Sequence, residues 1–208
     1  LNISTSAAAL NSFRNAGLAT VISLIMAMIL LITNLKSAGI KRIIFSSIGF
    51  SPTILALAAI ITFGDGIFPL RSSWLITPIY EALIFFPILY FLILPIWNSI
   101  SPNYLEECEL AGGDELDKFF YIFWPLLKDS ILILVHFIFF LVFTDFVVPN
   151  FLAIGDQETL TTQLYQLFLH PNPANQYLEA RIFLIYLVVG MSLMGSAKIR
   201  IYRRTHKW

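Results

Sequence analysis

Apolar residues run through this chain in long, nearly unbroken stretches, and charged residues fall mostly between the stretches. A helix needs about 20 mostly apolar residues to cross the hydrocarbon core of a bilayer. Five stretches approach that size. The first runs from Asn15 to Leu35 and ends at Lys36; the second runs from Ile43 to Gly64, between Arg42 and Asp65. The third starts after Arg71 and is interrupted only by Glu81, with its helix expected over 74–97. The fourth covers 130–152 around Asp145, and the fifth covers 181–198, where Arg181 and Lys198 can snorkel outward. Such continuous runs are unlike the two-residue alternation of a membrane β-barrel. The expected fold is all-α: a polytopic helical membrane protein of five core transmembrane helices, forming a single domain over 1–208. Gly49, Pro52, Pro78, Pro87, Pro95 and Pro149 fall inside the stretches. They read as kinks, because neighbouring helices can satisfy the carbonyls that they free.

Composition sharpens this picture. Hydrophobic residues make up 58% of the 208 and charged residues only 12%, against roughly 25% charged in an average soluble domain. The mean hydropathy is +0.79. These values exclude a disordered chain, a nucleic-acid binder led by basic charge, and most soluble enzymes. A lone cysteine, Cys108, excludes an intrachain disulfide, and His136, His170 and His206 are too scattered for a metal cluster. No metal is expected in this chain. The opening residue is Leu1, not Met, which reads as a processed chain or an excerpt of a longer protein.

Thirteen basic residues balance thirteen acidic ones, so placement carries the information. Across five spans, one side collects Lys36, Lys41, Arg42, Lys118, Lys128 and the tail basics from Lys198 to Lys207, ten in all; the other keeps Arg14, Arg71 and Arg181. The positive-inside rule puts the first side in the cytoplasm. The N-terminal end of the segment is then outside and the C-terminus inside. The basic tail reads as an orientation signal in contact with lipid phosphates. The longer outer connection carries a small amphipathic stretch, Leu160, Leu164, Leu167 and Phe168, which suits a short helix on the outer surface or dipping into the bundle, ended by Pro171 and Pro173.

The connection over 101–125 breaks the charge pattern. Six acids, Glu106, Glu107, Glu109, Asp114, Glu115 and Asp117, crowd a side otherwise rich in Lys and Arg. Ser101 is a good N-cap and Pro102 a good first helical residue, so a short helix should run to about Ala111. Gly112-Gly113 supplies a turn that side chains would resist, and Asp114 then caps a second helix with Glu115 and Asp117 in its first turn. A solvated acidic loop needs no compact turn between two capped helices. A docking element explains more of the pattern.

This segment resembles the cytoplasmic-loop signature of permease subunits in binding-protein-dependent ABC importers, the type I or methionine-permease-like fold. That signature reads Glu-Ala-Ala, three residues, Gly, nine residues, then Ile-x-Leu-Pro. Here Glu106-Glu107-Cys108 stand at Glu-Ala-Ala, Gly112 at the glycine, and Ile122-Phe123-Trp124-Pro125 at the end, with matching spacing. Glu107 and Cys108 replace two alanines and Trp124 a leucine. Asn11-Ser12-Phe13-Arg14 is similar to the Asn-Ser-Leu-Arg entry of the permease core. The resemblance implies a coupling helix between spans three and four, with Glu106, Glu107, Cys108, Gly112, Gly113, Ile122 and Pro125 as coupling residues. It implies as partners a cytoplasmic ABC ATPase dimer, a second permease subunit or fused half, and an extracytoplasmic substrate-binding protein, in a bacterial inner membrane. The permease itself would hold no cofactor and hydrolyse nothing, ATP and magnesium belonging to the ATPase.

Two acids lie inside the apolar stretches. A charge near the bilayer centre costs roughly 2.5–3.5 kcal/mol on insertion scales and should face the bundle interior or a water path. Asp145, in Phe143-Thr-Asp-Phe-Val-Val-Pro149, reads equally as a pathway acid or as one bonded to the backbone. The segment resembles that of permeases for ferric iron, thiamine and polyamines. Glu81 reads as structural, with Arg71 a candidate partner, and His136 as a packed imidazole. An intramembrane enzyme would need a catalytic pair, and His136 and Asp145, nine residues apart on one helix, would be about 13 Å apart in rise. The alternative kept open is an ion-coupled secondary transporter or channel without an ATPase.

Overall fold

The computed structural model describes residues 5–33, 38–64, 73–153, 155–170 and 176–205. All regular structure among them is helical. In order these are α1 (Thr5–Ile32), α2 (Ala38–Ser47), α3 (Pro52–Gly64), α4 (Ile76–Asn98), α5 (Pro102–Leu110), α6 (Glu115–Lys118), a π-helical turn (Phe119–Phe123), α7 (Trp124–Phe143), α8 (Val147–Leu152), α9 (Leu160–Leu169) and α10 (Gln176–Thr205). Arg71 and the outer connection around it, Pro171, Pro173 and the end of the basic tail lie outside the described residues, as do the side chains of Glu115 and Lys198.

Among the described residues three helices are long and apolar enough to cross a membrane: Thr5–Ile32, Ile76–Asn98 and Leu116–Phe143. They pack around one core. α1 and α4 run parallel: Arg14 lies over the Trp74 ring just before α4, 4.7 Å from its centroid, while Leu31 and Trp97 line one cavity at the far ends. α7 runs the opposite way, since Phe143 at its end meets Phe13, ring centroids 4.9 Å apart. The face of α1 turned to α4 carries small residues, with Ala16, Ala19, Ser23 and Ala27 buried. Small side chains let helix backbones approach closely, and Ser23 Oγ donates to the Ala82 carbonyl at 3.2 Å. The opposite face exposes Leu10, Val21, Ile25 and Ile29. Small and polar inside, large and apolar outside, is the surface of a helical membrane protein rather than of a water-facing bundle.

Three expectations need correction. The stretch 43–64 is not one helix. α2 ends at Ser47 and α3 starts at Pro52, because Pro52 has no N–H to continue the ladder and its ring drives Ser51 away from helical geometry. The two pieces nevertheless lead from one end of the bundle to the other. Phe45 packs edge-on against Phe91, and Ala56 and Ala59 cluster with Ile76, Val148 and Leu152. The fourth stretch is also shifted: its helix stops at Phe143 and resumes as the six-residue α8. Asp145 therefore lies in a break between helices, not on the helix of His136. Finally, α1 starts at Thr5, ten residues before the apolar run does, since Ala7 to Ala9 favour helix.

Candidate functional site

The connection between α4 and α7 is built as the local sequence dictates. Ser101 Oγ accepts from the Asn103 N–H at 3.4 Å, and Pro102 occupies the first turn of α5. The C-terminus closes in a Schellman motif: the Gly112 N–H donates to the Glu109 carbonyl and the Gly113 N–H to the Cys108 carbonyl, each at 2.9 Å. Gly112 has φ +85°, a left-handed geometry that side chains resist. Gly113 is required for a different reason. A Cβ there would stand 2.6 Å from Cys108 Sγ and 3.0 Å from the Cys108 carbonyl oxygen. Asp114 then forms a reciprocal cap. Its Oδ1 accepts from the Leu116 and Asp117 N–H groups at 2.9 Å, and Asp117 Oδ2 accepts from the Asp114 N–H at 3.1 Å.

The second helix of the expected helix–turn–helix is not separate. α6 runs on through the π-helical turn into α7. The widened turn falls just before Pro125, whose ring would crowd the Tyr121 carbonyl in an ordinary α-helix, and the Trp124 N–H bonds to Phe119 instead. Phe123, within the turn, stacks on Trp97 of α4 with centroids 3.8 Å apart and ring planes 10° from parallel.

The predicted loop residues thus divide by role. Glu106 and Glu107 are exposed on α5, which buries no residue in this chain. Cys108 and Gly113 face each other inside the turn, Gly112 makes it, and Ile122 and Pro125 sit at the π-helical turn. α5 also exposes Tyr104 and Leu110, the latter at 90%. One contact was not anticipated: Lys118 Nζ pairs with Glu109 Oε1 at 2.6 Å. The opposite charges lie nine positions apart in sequence, and only the turn brings them together.

The two acids of the apolar stretches are placed differently. Asp145 holds the start of α8: its Oδ1 accepts from the Val147 N–H at 3.3 Å and its Oδ2 from the Val148 N–H at 3.1 Å. Its carbonyl accepts from Thr161 Oγ1 at 2.8 Å. Of the two readings of Asp145, the backbone-bonded one describes these contacts. Glu81 is buried in α4 at 1% exposure, and its Oε2 has no hydrogen-bond partner among the described residues, as is true of Thr77 Oγ1 one turn earlier. His136 Nδ1 bonds the Leu132 carbonyl one turn back. Among the described residues no group of three or more His, Cys, Asp or Glu could hold a metal ion.

At the end of the bundle away from the loop, the Asn11-Ser12-Phe13-Arg14 segment forms a clasp. Asn11 Nδ2 donates to the carbonyls of Asp156 and Glu158 at 2.8 and 3.0 Å. Ser12 Oγ accepts from the Leu160 N–H at 2.9 Å, at the start of α9. Phe13 packs on Phe139 and Phe143. The amphipathic stretch is therefore a helix docked by its first residue, with a Thr159–Thr162 capping box. Comparison with known proteins finds no family model that matches the chain and no curated protein that matches it in sequence.

Proposed function

We propose that this chain is the membrane-spanning permease component of an ATP-driven importer, forming half of a substrate pathway and docking a cytoplasmic ABC ATPase through α5. The observation that carries the reading is the construction of α5: a short, capped, largely exposed helix, half-buried only at Leu105 and Cys108, closed by a left-handed Gly112 and set between two long apolar helices. It coincides with the segment whose spacing resembles the permease signature. Rigid-body rocking of a bundle by a soluble motor calls for such a handle, and Tyr104 and Leu110, beside Glu106 and Glu107, give it an apolar and acidic docking face.

In this reading α2 with α3, and α10, complete five crossings. Gly190 of α10 lies beside Phe140, its Cβ position 3.4 Å from that ring, and Tyr186 packs on Phe143, so α10 retraces α7 towards the loop end. That end is cytoplasmic, the Asn11–Arg14 clasp faces outward to a substrate-binding protein, and a second permease half completes the pathway in a bacterial inner membrane. The Asp145 segment favours ferric iron, thiamine or a polyamine as cargo. Detergent capture of the full-length protein, with mass spectrometry of co-purifying chains, tests this. An ABC ATPase recovered with the unaltered chain, and lost with a Glu106→Lys/Gly112→Trp double variant, is the expected result.

A second reading, an ion-coupled transporter or channel without an ATPase, draws on Glu81, whose buried carboxyl, with Oε2 unpartnered among the described residues, is what a coupling-ion site would need. Capture of an ATPase-free oligomer would favour it.

A further inference from the structure

We propose that the Glu109–Lys118 ion pair is a brace that locks α5 at a fixed angle to the foot of α7, so that the docking helix and the membrane helix move as one body. The purpose of the brace rests on the ATPase-coupling reading; its geometry does not.

Two glycines make the turn between α5 and α6, and glycine is the residue least able to hold an angle by itself. The Schellman bonds fix the turn locally, on the carbonyls of Cys108 and Glu109. The ion pair closes the same corner from the side-chain side. Lys118 Nζ reaches back across the turn to Glu109 Oε1 at 2.6 Å, with the lysine side chain only 9% exposed and the glutamate 61%. A lysine is seldom so buried unless paired. The pair lies at a cavity of about 380 Å³ whose walls include Leu31 of α1, Tyr90 and Trp97 of α4, and Phe123. It therefore stands where three long helices meet the loop. Lys118 is also the residue immediately before the π-helical turn, whose Phe123 stacks on Trp97. A displacement of α5 thus has a continuous path: through Glu109 to Lys118, into the π-helical turn, and on to α4. Glu106 and Glu107, exposed as Glu109 is, stand on the same helix for a partner.

Cys108 is the chain's one cysteine; it is half-buried, with its Sγ against Gly113 at the braced corner. Its alkylation by an uncharged maleimide, on the purified full-length chain in lipid nanodiscs, reports whether the corner opens. Glu109→Gln and Lys118→Met should each speed modification by about tenfold, the equivalent of one lost charge-assisted hydrogen bond. Lys118→Arg, and the exchange of the two charges in Glu109→Lys/Lys118→Glu, should return the rate close to that of the unaltered chain. A mere change of local field would move the two single variants in opposite directions, because one removes a negative and the other a positive charge beside the thiol. Opposite shifts, or no shift in either variant, overturn the brace. The ATPase reading is scored separately by capture with the unaltered chain. Capture with unresponsive labelling removes the brace alone, and responsive labelling without capture removes only the coupling reading.

Discussion

Gly112 and Gly113 look interchangeable in sequence, yet they answer to different constraints. At φ +85° a side chain on residue 112 meets its own backbone, so Gly112→Ala should cost about 1–2 kcal/mol. Residue 113 is limited by a neighbour: its Cβ would press on Cys108 Sγ and the Cys108 carbonyl, and forcing a methyl into a filled corner costs about 1–3 kcal/mol. Thermal unfolding in detergent should show both losses. Only the Gly113→Ala loss should shrink when Cys108→Ala is added, since the thiol is then gone. A non-additive double variant confirms that contact; simple additivity would place the strain elsewhere. Asp114→Ala, which removes an acceptor shared by the Leu116 and Asp117 N–H groups, should cost about 0.5–2 kcal/mol by the same measurement.

At the scale of elements, the clasp between α1 and the segment before α9 is a prediction of its own. Asn11 and Ser12 supply the side-chain bonds that hold 156–160 against the bundle. Asn11→Ala/Ser12→Ala should make this connection the first site of limited proteolysis in nanodiscs while leaving α4 and α7 protected. An unchanged digestion pattern would mean that α9 is held by its apolar face. These elements also show what a sequence can tell. Ser101, Pro102, Gly112 and Asp114 act within a few residues of themselves, so the caps and turn of the loop were readable in advance, as were the long apolar helices. The break between α2 and α3 was also encoded, in Pro52, but a hydropathy count is blind to one proline inside an apolar run. The Asp145 break has a subtler origin. An acid packed among apolar residues must find donors, and the free N–H groups at the start of a new helix are the nearest supply. Lys118 is the instructive omission. Its charge read as one more inside-positive residue, and its pairing with Glu109 depends on a turn geometry that no count of charges contains.

For the whole molecule, the arrangement separates two ends. One carries the exposed α5 and its braced corner; the other carries the Asn11–Arg14 clasp, Asp145 and α9. Between them the small and polar inner face of α1 packs on large apolar residues of α4 and α7, among them Leu89, Ile93, Ile131 and Phe143, and all three helices turn large apolar side chains outward as well. A displacement at one end of such a bundle can reach the other through the packed helices, which is what the proposed function asks of it. The proposed function requires α5 to touch an ATPase. The most direct measurement replaces Leu110, 90% exposed at the end of α5, with a photoactivatable residue in the full-length protein. Membranes are then illuminated and the cross-linked partner is identified by mass spectrometry. The expected product is an adduct with an ATP-binding-cassette subunit that diminishes in the Gly112→Trp background. Adducts to lipid alone, or to an extracytoplasmic protein, would contradict the proposed function.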